Sequence, residues 1–266
     1  MIKVCLHFHL SILLTRTPTI CKNEAMAIHG FKSAGIPIVD LNEDPTHVVV
    51  LMEDGHGAVS KFCEGQHKLG RHTNPSFKSL PYHLNKWKQN ELAVSLGVPA
   101  PKSVRVNYTT TFEEVADQVG APFYYKPFSG MGGACVFYIS KPDQFHAVPG
   151  FIAQQSIGRP GTDIACAVVQ DKVVDANLRY SEDPTVCRPP VGTYRITKRI
   201  AEEIPKIQEV CAPIAKYIQN GMSVFNLLRD TKGNVYFNEI NHVSIYPLYH
   251  VNAFELYAKS LLKEHF

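Results

Sequence analysis

The chain has 266 residues, 45% of them hydrophobic, and its 27 Lys and Arg against 24 Asp and Glu leave a net charge of +3. That is enough apolar material for a sizeable core in one compact unit of two or three lobes, and the small, unclustered charge points to no nucleic-acid or membrane partner. Seven cysteines, odd in number, scattered and never spaced as CxxC, indicate reduced thiols in a cytoplasmic setting.

The opening "MIKVCLHFHLSILL" reads as a buried first strand: His7 and His9 interrupt its apolar run and no small-residue cleavage site follows. No stretch approaches the ~20 apolar residues of a membrane span. Cys5, His7 and His9 fall at strand alternation and read as core-side residues, not zinc ligands. The helix "KNEAMAIHGFKSAG" and strands "IPIVDL" and "THVVVLME" complete a βαββ rhythm, that of a small α/β lobe. "GRHTNPSFKSLPYH" is dense in turn formers, which sets a boundary and defines a first lobe over 1–80.

The segment 81–150 begins with "LNKWKQNELAVSLGVPAPKS", a helix capped by Asn85, carrying Trp87, Leu92 and Leu96 as packing residues and stopped by Gly97 and Pro99. Strand "SVRVNY", helix "TFEEVADQVG" capped by Thr111, strand "PFYYKPF" and the glycine-rich turn "GMGGACVFYIS" follow, an antiparallel α+β pattern. The segment 151–266 holds strand "FIAQQSI", loop "GRPGTD" and a hairpin turning at Gln170 to Lys172. A three-proline loop leads to a helix over "TKRIAEEIPKIQEVCAPIAKYIQN", interrupted near Pro205 or Pro213. Strands "SVFNLL" and "NVYFNEI" join through "RDTKG", and helix "NAFELYAKSLLKEH" closes the chain.

Four pieces carry chemistry. A turn over 230–233 sets Asn226 opposite Phe237, and period-two alternation then brings Asn226, Glu239 and Asn241 to one face. Hard divalent cations take oxygen ligands, so this face suits Mg²⁺ bound with phosphate; a strand end facing solvent accounts for the same residues. In "YYKPFSGMGG", Lys126 ends an apolar strand and Gly130, Gly132 and Gly133 let backbone N–H groups approach phosphate, without the GK[ST] and helix of a P-loop; a plain glycine-rich hairpin is the alternative. Lys86 heads its helix, where a lone lysine is ordinarily a surface residue. "FIAQQSIGRPGTD" offers strand-edge groups for a purine and Asp163 for a ribose, or is a simple edge strand. His242, Tyr249 and His250 read as structural.

From about residue 85 onward, the order of these pieces resembles the ATP-grasp superfamily, within it the branch of ribosomal-protein glutamate ligase and glutathione synthetase. The resemblance implies an α+β ATP-grasp fold, two lobes clamping a nucleotide, preceded by a small α/β Rossmann-like lobe. It implies ATP and Mg as cofactors: Lys86 and Lys126 on phosphates, Gly130, Met131, Gly132 and Gly133 closing above them, Gln155 and Ile157 flanking adenine, and Asp163 on the ribose. Asn226, Glu239 and Asn241 become metal ligands, Arg179 and Arg195 catalytic residues, and Arg188 a contact to substrate carboxylate. Asn226 stands where the family usually has aspartate, Gln155 where it often has glutamate, and Ala165 where this branch often has arginine. The implied activity is an ATP-dependent carboxylate–amine ligase joining small-molecule or peptide substrates, in a monomer or homo-oligomer. A nucleotide-binding protein without turnover and a direct phosphotransferase on the same fold are the alternatives.

Overall fold

The structure, a computed structural model, describes residues 2–7, 18–51, 58–129, 135–180, 196–241 and 251–263. Among these residues the strands form three sheets. No described helix is long and apolar enough to cross a membrane.

The first sheet is parallel, in the order β1 (Val4–His7), β2 (His47–Val50), β3 (His72–Asn74). Parallel neighbours need crossovers, supplied by α1 (Pro18–Ser33) and α2 (Ala58–Lys68). The sequence predicts βαββ and a turn-rich boundary, whereas the lobe is βαβαβ. The buried stripe of α2 is only Val59, Cys63 and Gln66, and the polar third member blurs its period. The expected strand at "IPIVDL" reduces to a parallel bridge between Val4 and Ile38. Cys5 is buried and His7 stacks on Phe62 at 3.8 Å, so both serve packing; His9 lies outside the described residues.

α3 (Lys86–Ser95) starts where expected, with the Asn85 side chain accepting from the Lys88 N–H at 3.0 Å. The second sheet is antiparallel, in the order β4 (Ser103–Arg105), β7 (Phe151–Gln155), β5 (Phe123–Pro127), β6 (Phe137–Ile139). α4 (Phe112–Val119), capped reciprocally by Thr111 and Glu114, covers it around Val115, Val119 and Phe123.

The third sheet, also antiparallel, runs β10 (Ile196–Arg199), β9 (Lys172–Tyr180), β8 (Asp163–Val169), β11 (Met222–Arg229), β12 (Val235–Asn241). The helix expected from Thr197 is instead strand β10, a short 3-10 turn and α5 (Ile204–Ile218), with Pro205 in its first turn, where a missing N–H costs nothing, and Pro213 inside. One sheet face packs Cys166, Phe225, Phe237 and Ile240 against α3 and α5. The opposite face packs Ala167, Met222 and Val224 against the first lobe and α6 (Ala253–Lys263), which itself lies on α1.

The last hairpin departs from its expected register. Leu227 pairs with Phe237, but Asn226 pairs with Glu239, so Asn238 is an extra residue in a bulge. Phe237 therefore leaves the polar face and joins the core, while Glu239 faces the other way. The turn position alone does not give this register, because a bulge carries no sequence signature in a strand of alternating residues.

Gly158 follows β7 at φ +66, and a Cβ there would collide with the Arg229 carbonyl oxygen. Gly158→Ala should lower unfolding free energy by about 2–4 kcal/mol, read as a shift in denaturant midpoint.

Candidate active site

The polar face of the third sheet and the lip of the second meet over Glu239. β12 is an edge strand, and α3 covers it by satisfying its outward backbone groups. The Gln89 side chain pairs with Ile240 as a neighbouring strand would, accepting from its N–H at 2.9 Å and donating to its C=O at 3.2 Å. One turn earlier on α3 sits Lys86, whose Nζ lies 3.8 Å from Glu239 Oε2. The Lys86 backbone N–H donates to Phe128 O at 2.9 Å, tying α3 to the end of β5, and Arg105 lies over the rings of both Trp87 and Phe128. Lys126, on β5, donates from Nζ to Asn238 Oδ1 at 3.1 Å. The bulge thus supplies a partner for one lysine and aims the carboxylate at the other.

Hydrogen bonds continue across the sheet. Asn226 donates from Nδ2 to Glu239 Oε1 at 2.9 Å and accepts at Oδ1 from Arg179 at 3.1 Å. Arg179 grips Asp163 with two bonds of 2.8 and 2.7 Å, the two residues being direct cross-strand partners. Lys86, Lys126, Asp163, Arg179, Asn226 and Glu239, far apart in sequence, form one contiguous polar seam.

Three cations face two carboxylates here. Lys86 and Lys126 are only 9% and 5% exposed. Burial pulls the Lys126 pKa down to about 8 although Glu239 opposes it, and the nearby Lys86 ammonium adds to the fall. Burial alone would raise the Glu239 pKa, but Lys86 and Lys126, the Asn226 hydrogen bond and Arg179 together hold it below its ordinary value. The carboxylate is therefore ionised at neutral pH, and among the described residues of the seam the cations outnumber the carboxylates.

Other expected residues sit as follows. Gln155 is half-buried at the end of β7, its Oε1 accepting from Lys102 N–H at 3.3 Å, with Ile157 two residues on. Asn241 shares the Glu239 face, opposite Val224. Asp163 and Asn226 are engaged by Arg179, so a ribose or a metal would draw on groups that now bond to a guanidinium. Gly130, Met131, Gly132, Gly133, Arg188, Arg195, His242, Tyr249 and His250 lie outside the described residues. Sequence reasoning missed Gln89 and Asn238, both amides with no motif signal, and the pair Asp175 and Arg199, joined at 2.9 Å on the same sheet face. Among the described residues no group of three His, Cys, Asp or Glu could hold a metal alone. The chemistry of Glu239 with the amides Asn226 and Asn241 nonetheless fits a hard cation that shares its shell with phosphate: all three offer oxygen, and the one carboxylate is held ionised.

No protein-family model matches the chain. D-alanine–D-alanine ligase B of Chromobacterium violaceum is 23% identical over 244 residues, covering 83% of this chain and 78% of that protein. A D-alanine–D-alanine ligase of Bacillus anthracis, solved with ATP, superposes with a TM-score of 0.69 at 14% identity, covering all of both chains. The ATP-grasp ligase PsnB, solved with a precursor variant, Mg and ADP, superposes at 0.67 and 14% identity over 100% of this chain and 99% of that one. The chain has the ATP-grasp fold.

Lys126 carries a pH signature. Its native pKa of about 8 lies below the ordinary 10.5. Below pH 8 both states are protonated and the native state bears the burial cost. Above it the unfolded chain binds more protons, so stability rises with pH. Between pH 7 and 9.5 the protein should gain roughly 2 kcal/mol relative to Lys126→Met, measured by denaturant unfolding.

Proposed function

We propose that this protein is an ATP-dependent carboxylate–amine ligase, built from a Rossmann-like lobe over 1–80, a small ATP-grasp lobe over 81–150 and a C-terminal lobe over 151–266. The observation that carries the reading is the convergence of two buried lysines from different elements, Lys86 of α3 and Lys126 of β5, on one ionised carboxylate, an arrangement suited to the polyphosphate of a nucleotide with its metal. The solved relatives bind ATP, or ADP with Mg, on the same fold.

In this reading Lys86 and Lys126 grip the phosphates, Gln155 and Ile157 flank the adenine, and Asp163 turns from Arg179 to the ribose. Gly130, Met131, Gly132 and Gly133 close over the phosphates and keep water out. Glu239 and Asn241, with Asn226, hold Mg²⁺, which supplies neutralisation of phosphate charge. Arg179, once released by Asp163, meets the transferred phosphoryl group, with Arg195 beside it and Arg188 on a substrate carboxylate. A carboxylate resists amines because oxide is a poor leaving group; phosphorylation by ATP converts it to an acyl phosphate that an amine displaces, yielding amide, ADP and phosphate. The chain's own part is positioning and charge complementarity.

The second reading, nucleotide binding without turnover, is favoured by Asn226, whose amide bridges Arg179 and Glu239 and removes one carboxylate from the metal face.

With ATP, Mg²⁺ and pools of amino acids and peptides, ADP release should require both an acid and an amine. Glu239→Gln should lower it at least about 100-fold, and Asn226→Asp should raise it. ATP binding with no release across the panel would select the second reading; no ATP binding would end both.

A further inference from the structure

We infer that Arg199 and Asp175 form a carboxylate-binding subsite that holds a substrate carboxylate not consumed in the reaction. This assignment rests on the ligase reading for its place in catalysis, but on its own geometry for the ligand.

Asp175 on β9 is 0% exposed, an expensive place for a carboxylate, and it accepts at Oδ1 from the Ala176 N–H at 3.1 Å and from Arg199 Nε at 2.9 Å. The Arg199 side chain, on the neighbouring edge strand β10, is 44% exposed. Arg199 pairs across the ladder with Asn177, so Asp175, Asn177, Arg179 and Arg199 share the face that carries the catalytic seam. The bond to Asp175 runs through Nε, no described residue bonds the two terminal nitrogens, and the side chain is partly open to solvent.

That arrangement selects a class of ligand. A planar fork with parallel donors matches a carboxylate in bidentate fashion. Asp175 cancels the charge of Arg199, so the fork and not net charge selects the ligand here, whereas the lysines beside Glu239 suit a polyphosphate. Strand spacing puts the Cα atoms of Arg199 and Arg179 about 8 Å apart, and the bond to Asp175 draws Arg199 further from Arg179. A carboxylate on Arg199 is thus not the group that receives the phosphoryl. The substrate it serves is an amino acid or short peptide that keeps a free carboxylate through the reaction.

Paired probes test this: alanine against alaninamide, glutamate against glutamine, and Ala-Ala against its C-terminal amide, titrated by calorimetry with and without ADP and Mg²⁺. At least one free acid should bind about tenfold or more tighter than its amide. Arg199→Met should bring that ratio to about one, while Arg199→Lys, which keeps the charge but not the fork, should retain part of it. A preference unchanged in Arg199→Met, or no preference for any acid in the wild type, overturns the assignment. A purely structural Arg199 would alter melting without moving the ratio. Loss of ADP binding alone counts against the ligase reading, since the ratio measured without nucleotide still decides the subsite.

Discussion

Two buried ammonium groups beside a single ionised carboxylate form the constraint on which the cleft is built. Lys86 and Lys126 approach from different elements, α3 and β5, and neither tolerates burial without Glu239 between them. Everything near them serves that meeting. Gln89 locks α3 to the outer edge of β12, the Phe128 carbonyl joins α3 to the end of β5, and the Asn238 amide engages the second lysine. Two ammonium groups, one from a helix and one from the second sheet, thus reach one carboxylate of the third, so the charge cluster is also the point at which those elements are tied together.

The five-stranded sheet divides its labour by face. Aromatic and branched side chains fill the side toward α3 and α5, and the other side changes along its strands from apolar contact with the first lobe to a hydrogen-bonded polar seam. Small residues make the change possible: Ala165 and Ala167 lie between the two regimes, leaving room for Arg179 to reach both Asp163 and Asn226. Arg179 is the hub of the seam, and in the proposed ligase reading its partners are the groups that a nucleotide and its metal would claim. Binding would therefore exchange one set of charge-assisted hydrogen bonds for another, not fill a vacant polar pocket.

Much of this was legible in the amino acids. Asn85 and Thr111 announced their helices because capping is local chemistry, and the order of Lys86, Lys126, Asp163, Arg179 and Glu239 carried the fold because each sits at a fixed offset from a strand or helix end. What stayed hidden depends on distant partners. α2 buries a stripe with a glutamine in it, and β10 reads as a helical run because its four residues lead almost directly into the 3-10 turn and α5. Gln89 and Asn238 are unremarkable until a backbone edge and a lysine are beside them. The fork at Arg199 is likewise invisible without the buried aspartate 24 positions earlier.

The surplus residue in β12 contributes a side chain and a bend that the pairing of its neighbours does not require. Excising Asn238 would close the ladder to regular alternation, with Glu239 still opposite Asn226 and Ile240 still opposite Phe225, and would take away the local bend of the strand together with the amide that engages Lys126. Replacing Asn238 removes only its amide, whereas deleting it also straightens the strand beneath the lysine, so the two changes separate the chemistry of one residue from the shape it imposes on its strand.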